Sequence, residues 1–326
     1  MTTSVGLVLL GLILLVFGGE CLLRGAVGLA TLAKVTPAVI GLTVVAFGTS
    51  VPELAVSMIA ALQGNEGVAV GNVVGSNVFN LTLIIGLAAL IHPLGISGNT
   101  IRLEYPVLLL VSLLFLVLAN DGLIGRLDAG LLVATYVGFT AYLVVVVRRQ
   151  INVTEAKALG AEVSELAEPM VALPRSWVSL GLIVAGIGLL IAGAQSTVTG
   201  AVAIGRTFGM SEAVIGLTIV AVGTGLPEVV TSLISSVRGR DDVAIGNVIG
   251  SNLFNILGVL GLGGLVRPIP VPREIVTTDV WWMLGLTVLF GPLLLTGRRI
   301  ARSEGLLLLG IYGIYMAFLL SRSTTP

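Results

Sequence analysis

The sequence has few charged residues, one histidine and one cysteine. Its 326 residues include 17 Lys or Arg and 17 Asp or Glu, so 10% of the chain is charged and the formal net charge is zero. A soluble domain is typically about 25% charged, and a chain this poor in polar side chains cannot cover the surface of a water-soluble globule. The zero net charge argues against the basic face that nucleic-acid binding needs. The single Cys21 excludes a disulfide framework and any multi-cysteine metal site.

Long apolar runs make up most of the chain. Several are close to the ~20 residues that cross the hydrocarbon of a bilayer, and together they predict an all-α polytopic membrane protein with ten transmembrane helices. The predicted spans lie near residues 4–23, 38–62, 67–91, 104–120, 127–147, 176–195, 212–237, 242–266, 277–296 and 303–320. The hydrophilic segment 148–175 is too short to be a domain, which predicts a linker between two five-helix halves, 1–147 and 176–326, of a single membrane domain.

Two parts of the chain repeat one another at an offset of 175 residues. Residues 38–87 match residues 213–262 without a gap, and 27 of the 50 aligned positions are identical. Among the identities are polar strings: Gly48-Thr49, Pro52-Glu53, Gly71-Asn72-Val73, and Gly75-Ser76-Asn77 with Phe79 and Asn80. Shared apolar composition does not produce matched polar strings. Each half therefore carries one copy of a helix pair joined by a short hydrophilic loop.

The basic residues predict that the two copies are inverted in the membrane. Of the 17 Lys and Arg residues, twelve fall on one side of the predicted spans and five on the other, namely Arg126, Arg206, Arg267, Arg273 and Arg322. Because basic loops stay in the cytoplasm, the linker 148–175 is predicted to be cytoplasmic and both termini extracytoplasmic, in a plasma or inner membrane. Five spans per half, an odd number, make the copies face opposite ways. Inverted repeats are typical of secondary transporters, whose sites lie near the midplane where the copies meet.

Glu53 and Glu228 each lie about halfway along a predicted span, at equivalent positions of the repeat. A charge at the bilayer centre costs roughly 3 kcal/mol or more, so it normally faces a cavity or a partner. No Lys, Arg or His stands in the middle of any predicted span to pair with them. Two such carboxylates predict a cation site. The alternative interpretation is that both are protonated and only bridge helices.

Each glutamate follows a predicted break in its helix. Pro52 and Pro227 cannot donate a backbone hydrogen bond, and the proline ring displaces the carbonyl four residues earlier. The helices are therefore expected to unwind or kink just before the prolines. The freed carbonyls and the hydroxyls of Thr49 and Thr224 become available there as hard oxygen ligands.

The second helix of each copy adds further oxygen groups. Ser76 and Asn80 are four residues apart, as are Ser251 and Asn255, so each pair lies on one helix face. Oxygen ligands without His or Cys suit Ca²⁺ or Na⁺ and do not suit Zn²⁺ or Cu. The small residues in these stretches also predict close helix packing. Four further asparagines are candidates to support the ligands from behind, namely Asn72, Asn77, Asn247 and Asn252.

These strings resemble the cation/calcium antiporter family, and in particular its sodium/calcium exchangers. The resemblance rests on residues 48–53, on residues 71–80 and on the second copy of both, and it extends to the ten-helix layout. It implies that the two glutamates flank Ca²⁺ and that several Na⁺ compete for the same oxygens. Carried over by matching position, it implies a ligand set of Thr49, Ser50, Glu53, Ser76, Asn80, Thr224, Glu228, Ser251 and Asn255.

Two positions depart from the family pattern. Gly225 stands where many members have serine, and Asn255 stands where several exchangers have aspartate. The second difference removes a carboxylate, so the coupling ion and the number of ions per cycle stay open. The linker 148–175 is also far shorter than the regulatory loop of the animal exchangers, which implies that cytosolic Ca²⁺-sensing domains are absent.

The sequence therefore predicts an antiporter that exchanges Na⁺ for Ca²⁺ by alternating access. The transported ions are substrates, no cofactor is expected, and the partners are Ca²⁺, Na⁺ and the lipid bilayer, without nucleic acid. No nucleotide is expected to drive transport, because the chain has no G-x-x-x-x-G-K-[ST] loop. The alternatives are an H⁺/Ca²⁺ or K⁺-assisted exchanger and a passive cation channel. An intramembrane enzyme is disfavoured because one His and one Cys leave few catalytic groups.

Overall fold

The computed structural model describes residues 2–33, 37–64, 66–143, 145, 176–208 and 221–323. The predicted linker 148–175 lies outside these residues. So does the first part of the predicted span 212–237, including the second copy of the Ala-Val-Ile-Gly-Leu-Thr string. The division into 1–147, 148–175 and 176–326 therefore stays a prediction.

The described part is almost entirely helical. The helices are α1 (Thr2–Ala33), α2 (Pro37–Ile40), α3 (Ala46–Thr49), α4 (Val51–Leu62), α5 (Glu66–Phe79), α6 (Ile85–Ile91), α7 (Tyr105–Ala119), α8 (Arg126–Tyr142), α9 (Ser176–Thr207), α10 (Ala221–Thr224), α11 (Leu226–Val237), α12 (Asp241–Leu253), α13 (Leu260–Val266), α14 (Val280–Leu295) and α15 (Arg302–Ser323). π-helical segments lie at Gly41–Val45, Asn80–Ile84, Thr100–Glu104, Phe254–Val259 and Ile275–Asp279. The strands are β1 (Leu94–Gly95), β2 (Leu123–Ile124), β3 (Ile269–Pro270) and β4 (Arg299–Ile300).

Seven helices in the described part are long and apolar enough to cross a membrane. They cover Thr2–Leu29, Gly67–Ile91, Thr100–Ala119, Ser176–Thr207, Asp241–Val266, Ile275–Leu295 and Arg302–Ser321. The number becomes eight if Gly41–Thr49 and Val51–Leu62, which are bent by 53° at their junction, form one broken span. The predicted all-α polytopic membrane fold is thereby confirmed. The finer arrangement of ten spans in two inverted sets of five stays a prediction.

Helices α1 and α9 pack against each other along their length. Both continue well past the predicted spans 4–23 and 176–195. Small residues let their backbones approach closely. A Cβ atom on Gly18 would lie 2.8 Å from the backbone nitrogen of Leu190, and one on Gly186 would lie 2.6 Å from that of Leu22. Each helix has 32 residues and is therefore about 48 Å long. The pair extends beyond the ~30 Å hydrocarbon layer or crosses it at a tilt.

Two short antiparallel ribbons connect the first half of the chain to the second. In one, β1 pairs with β4, so that Leu94 lies opposite Ile300. In the other, β2 pairs with β3, so that Ile124 lies opposite Ile269. The strand after α6 thus pairs with the strand before α15, and the strand before α8 pairs with the strand after α13. Each ribbon therefore pairs a strand from the first part of the chain with a strand from the second part.

The centre of the molecule is formed by the helices that carry the repeated Gly-Ser-Asn strings. In the apolar 18-residue stretch of Asp241–Val266 every residue is buried, and in the corresponding stretch of Gly67–Ile91 67% of the residues are buried. The corresponding share for Thr2–Leu29 is 28%. The buried polar side chains of α5 and α12, namely Asn77, Asn247, Ser251 and Asn252, are shielded from bulk water and need partners inside the protein.

Candidate cation site

Both predicted helix breaks are present, one residue after each threonine. Helix α3 ends at Thr49, and Ser50 has φ −86° and ψ 11°, which lies outside the helical region. Its counterpart Gly225 has φ −83° and ψ 0°. The chain then begins α4 and α11, each with a proline in its first turn. Proline is favoured there because the first amides of a helix have no intrahelical acceptor.

The breaks place both glutamates in the first turn of a new helix, inside the protein. Glu53 and Glu228 are each 1% exposed. Each carboxylate accepts a hydrogen bond from its own backbone N–H. The first turn of a helix carries a partial positive charge of roughly half a unit, which stabilises an anion. The two helix starts therefore offset part of the cost of burying two carboxylates that repel one another.

Hydroxyl groups of each copy hold the glutamate of the other copy. The Ser50 hydroxyl donates to Oε1 of Glu228 at 2.8 Å. The Thr49 hydroxyl also interacts with Glu228, and it lies 3.3 Å from both the Ala46 carbonyl and Oδ1 of Asn247. In the opposite direction, Thr224 is hydrogen-bonded to Glu53. The two halves of the predicted site are therefore interlocked, and neither glutamate is positioned by its own half alone.

Four of the predicted ligand groups have an oxygen that is buried without a hydrogen-bond partner. They are Oε2 of Glu53, Oε2 of Glu228, Oγ of Ser251 and Oδ1 of Asn255. A buried polar atom left unsatisfied costs about 1–3 kcal/mol, and more when it is charged. Such atoms are uncommon in folded proteins and need an explanation. A bound cation, which accepts lone pairs from all four, would remove the penalty.

Crossed amide hydrogen bonds join the central helices. Nδ2 of Asn80 donates to Oδ1 of Asn252 at 2.9 Å, and Nδ2 of Asn255 donates to Oδ1 of Asn77 at 3.2 Å. In each bond, the second asparagine of one Gly-Ser-Asn-x-Phe-Asn string donates to the first asparagine of the other string. Asn80 begins one π-helical segment and Asn255 lies in another, and such segments are frequent at functional sites. Because its N–H group is bonded here, Asn255 keeps its unpartnered oxygen free for another contact.

A second pair of matched hydrogen bonds ties the two helices of each copy together. Nδ2 of Asn72 donates to the hydroxyl of Ser57 at 2.9 Å, and Nδ2 of Asn247 donates to that of Ser232 at 3.0 Å. Sequence reasoning proposed a supporting role for these asparagines but missed the serines. The signal was present, since Ser57 and Ser232 are one of the identical pairs in the repeat.

The predicted ligand Ser76 and its counterpart Ser251 differ in exposure. Ser76 lies one turn before Asn80 on α5 and is partly exposed. Its counterpart Ser251, on α12, is fully buried at 0% exposure. The structure thus bonds Ser50 and Thr224 to the glutamates of the opposite copies and joins Asn80 and Asn255 to asparagines across the copies, while Ser76 is partly exposed.

Two carboxylates are the only anionic groups among the predicted ligands. Within the described ranges, no group of three or more His, Cys, Asp or Glu residues could hold a metal ion. The remaining predicted ligands are neutral hydroxyls and amides. This donor set suits a weakly held Ca²⁺ or Na⁺, which is what a transported substrate requires, rather than a permanent transition metal.

Comparison with known proteins gives concordant matches over nearly the whole chain. The family described as "Sodium/calcium exchanger protein" matches residues 3–145 and 178–321. The putative antiporter CaxA of Alkalimonas amylolytica is 39% identical over 321 residues, covering 96% of this chain and 98% of CaxA. The sodium/calcium exchanger MaX1 of Methanosarcina acetivorans is 31% identical over 354 residues, covering 98% of this chain and 99% of MaX1.

A solved structure agrees with these sequence matches. The sodium-calcium exchanger NCX_Mj, in crystals soaked with zero Na⁺ and Ca²⁺, is similar to this chain with a TM-score of 0.81 and 31% sequence identity. The match covers 98% of this chain and 99% of NCX_Mj.

Proposed function

This chain belongs to the sodium/calcium exchanger family, and we propose that it exchanges Na⁺ for Ca²⁺ at a buried site between Glu53 and Glu228. The proposed ligands are those that the sequence suggested, namely Thr49, Ser50, Glu53, Ser76, Asn80, Thr224, Glu228, Ser251 and Asn255. The family is one of membrane antiporters rather than enzymes. Ca²⁺ and Na⁺ are its transported substrates, so they are not cofactors.

The observation that carries this proposal is the set of four unpartnered oxygens. Oε2 of Glu53 and of Glu228, Oγ of Ser251 and Oδ1 of Asn255 are all buried and all belong to proposed ligands. If the glutamates only bridged helices in their protonated form, both of their oxygens would be expected to find partners. One bonded and one unpartnered oxygen on each carboxylate instead fit groups that are held in position for a cation.

The proposed mechanism follows from charge balance. Two carboxylates neutralise one Ca²⁺ or two Na⁺, so Ca²⁺ and Na⁺ compete for the same negative charge. If more than two Na⁺ replace one Ca²⁺, net charge crosses the membrane in each cycle. The two interlocked copies would exchange conformations, so that the site opens to each side in turn. The Na⁺ gradient supplies the energy.

The proposed topology keeps the predicted halves and orientation. Residues 1–147 and 176–326 would form the two inverted halves, and the linker 148–175 would lie in the cytoplasm. Both termini would then be extracytoplasmic, in a plasma or inner membrane. Cysteine accessibility labelling in intact cells, at one terminus and in the linker, tests this orientation directly.

Ion flux into proteoliposomes tests the function. Vesicles loaded with Na⁺ and diluted into Na⁺-free buffer should accumulate radioactive Ca²⁺, and both Glu53→Gln and Glu228→Gln should lower uptake to the level of empty vesicles. Glu104→Gln is the matched control. Glu104 is also a buried carboxylate, 2% exposed, but it accepts a hydrogen bond from Thr100 and lies outside the proposed site. Uptake that persists in both site variants would overturn the site assignment.

The same assay separates the alternatives. Uptake driven equally well by a pH gradient without Na⁺ would favour H⁺/Ca²⁺ exchange, and a requirement for K⁺ would favour a K⁺-assisted exchanger. Uptake without any counter-ion gradient, and without saturation, would indicate a passive channel. Strict dependence on Na⁺ on the opposite side supports the proposal.

A further inference from the structure

The two helix breaks differ at one side chain beside the proposed ions. Ser50 and Gly225 occupy equivalent positions at the offset of 175 residues. The hydroxyl of Ser50 reaches across to Glu228 at 2.8 Å. At position 225 there is no hydroxyl, so Glu53 lacks the corresponding hydrogen bond and has Thr224 as its side-chain partner. The site therefore has one neutral oxygen fewer beside Glu53 than beside Glu228.

A phenyl ring fills the space that a side chain at position 225 would need. A Cβ atom on Gly225 would lie 2.5 Å from Cε1, 3.0 Å from Cδ1 and 3.3 Å from Cζ of Phe79. Phe79 is 5% exposed and packs edge-on against Tyr312, with ring centroids 5.8 Å apart. Burial and the contact with Tyr312 restrict movement of the ring. Serine at position 225 is incompatible with this ring position.

The equivalent ring in the other copy is accommodated differently. Phe254 packs against Tyr136, with ring centroids 5.4 Å apart, much as Phe79 packs against Tyr312. It rests on Gly258 of its own helix, in closer contact than any Cβ atom would allow. The counterpart of Gly258 in the first copy is Leu83. Each phenylalanine ring therefore lies against one glycine. For Phe79 this is Gly225 of the other copy, and for Phe254 it is Gly258, four residues later in the chain.

We propose that Phe79 is a specificity-determining residue, because its ring takes the place of a ligand hydroxyl beside Glu53. Phe79 and Gly225 together set the number of neutral oxygens beside Glu53. In the other copy, Phe254 lies against Gly258 instead, and Ser50 keeps its hydroxyl beside Glu228. Resting on the proposed function, this assigns Phe79 and Gly225 a role in the competition between Na⁺ and Ca²⁺.

The expected direction follows from charge. Two carboxylates balance one Ca²⁺ or two Na⁺, so any further Na⁺ must be held by neutral oxygens. A missing hydroxyl therefore weakens Na⁺ binding more than Ca²⁺ binding. Adding one beside Glu53 should make Na⁺ a better competitor, by about tenfold if the oxygen contributes as much as a hydrogen bond to a charged group.

Equilibrium binding of radioactive Ca²⁺ to the purified full chain, with Na⁺ as competitor, tests the proposal. The decisive pair is Gly225→Ser with Phe79→Leu against Gly225→Ala with Phe79→Leu. Both double variants make room at the ring and add a Cβ atom, and they differ only in the hydroxyl. The Na⁺ concentration that displaces half of the Ca²⁺ should be about tenfold lower in the serine variant. Equal values in the two variants would overturn the proposal.

Two further variants keep the test decisive if the double variants fold poorly. Gly225→Ser alone should lower the thermal unfolding midpoint, because it meets the unchanged ring. If it folds and binds as the wild type does, the ring does not exclude a hydroxyl and the proposal is wrong. Ser50→Gly removes the hydroxyl from the Glu228 half and should raise the Na⁺ concentration needed for displacement. No change would refute the role of neutral oxygens. Absence of Ca²⁺ binding to the wild type would instead contradict the proposed function itself.

Discussion

At the proposed site, the two copies of the repeated helix pair have the same carboxylate and amide groups but differ in their hydroxyls. Both copies have the glutamate, the threonine and the asparagines, and their hydrogen bonds match in pairs. The difference lies at Ser50 against Gly225, so Glu228 has two hydroxyl partners and Glu53 has one. The carboxylates and amides thus form a frame that the two copies share. The hydroxyls are the part that can differ between the two sides.

A second difference lies along the helices that follow the breaks. Helix α11 buries a row of hydroxyl side chains, each at most 1% exposed, namely Thr231, Ser232, Ser235 and Ser236. Helix α4 has Val56, Ser57, Ala60 and Ala61 at the equivalent positions. Thr231 and Ser235 donate to carbonyls of their own helix, which leaves their oxygen lone pairs facing away. The buried face of α11 is thus more polar than that of α4 at these positions.

The largest effect is expected from removing the crossed hydrogen bonds between Asn80 and Asn252 and between Asn255 and Asn77. Asn80→Leu and Asn255→Leu each remove a proposed ligand oxygen and leave a buried amide acceptor without its donor. We expect Ca²⁺ affinity to fall by about 100-fold or more in both, since each loses on the order of 3 kcal/mol. Ca²⁺ binding to purified protein measures this, with size-exclusion profiles as the control for folding. A large loss in only one variant would show that the copies do not share the frame equally.

An intermediate effect should separate the two threonines. Thr224→Val removes the hydroxyl partner of Glu53 with little change in shape, whereas after Thr49→Val Glu228 still has Ser50. We expect Thr224→Val to weaken Ca²⁺ binding by about tenfold and Thr49→Val by less. The ratio of the two dissociation constants is the measurement. A larger loss in Thr49→Val would contradict the idea that Ser50 compensates in one copy only.

The smallest effect concerns the serines that anchor the asparagines. Ser57→Ala and Ser232→Ala each remove one acceptor of nearly the same hydrogen bond, at 2.9 and 3.0 Å. Each should lower the free energy of unfolding by about 1 kcal/mol, which corresponds to about 2 °C in the unfolding midpoint of a protein of this size. Ser321→Ala, at an exposed helix end, is the control. Ser57 also donates to the Ala69 carbonyl at 3.2 Å, so a larger shift in Ser232→Ala than in Ser57→Ala would contradict the matched role of the two serines.

Much of the site could be predicted because it depends on local chemistry. A carboxylate in the middle of an apolar span is costly unless it faces a cavity or a partner. Proline within a helix removes a backbone hydrogen bond and breaks or kinks the helix. Glu53, Glu228 and both breaks follow from these two facts. Ser57 and Phe79 could not be assigned in the same way. A serine or a phenylalanine in an apolar helix is equally compatible with simple packing, and only its neighbours show its role.

The sequence by itself determined the membrane fold, the repeat and the identity of the groups that a cation could bind. These follow from composition and from residues close together in the chain, where the cost of burying charge and the geometry of proline decide. The tertiary structure alone decided that Ser50 serves Glu228, that Asn80 bonds Asn252, and that Phe79 lies on Gly225. Such pairs are far apart in the chain, and their contacts depend on how the two copies interlock, which no local pattern specifies.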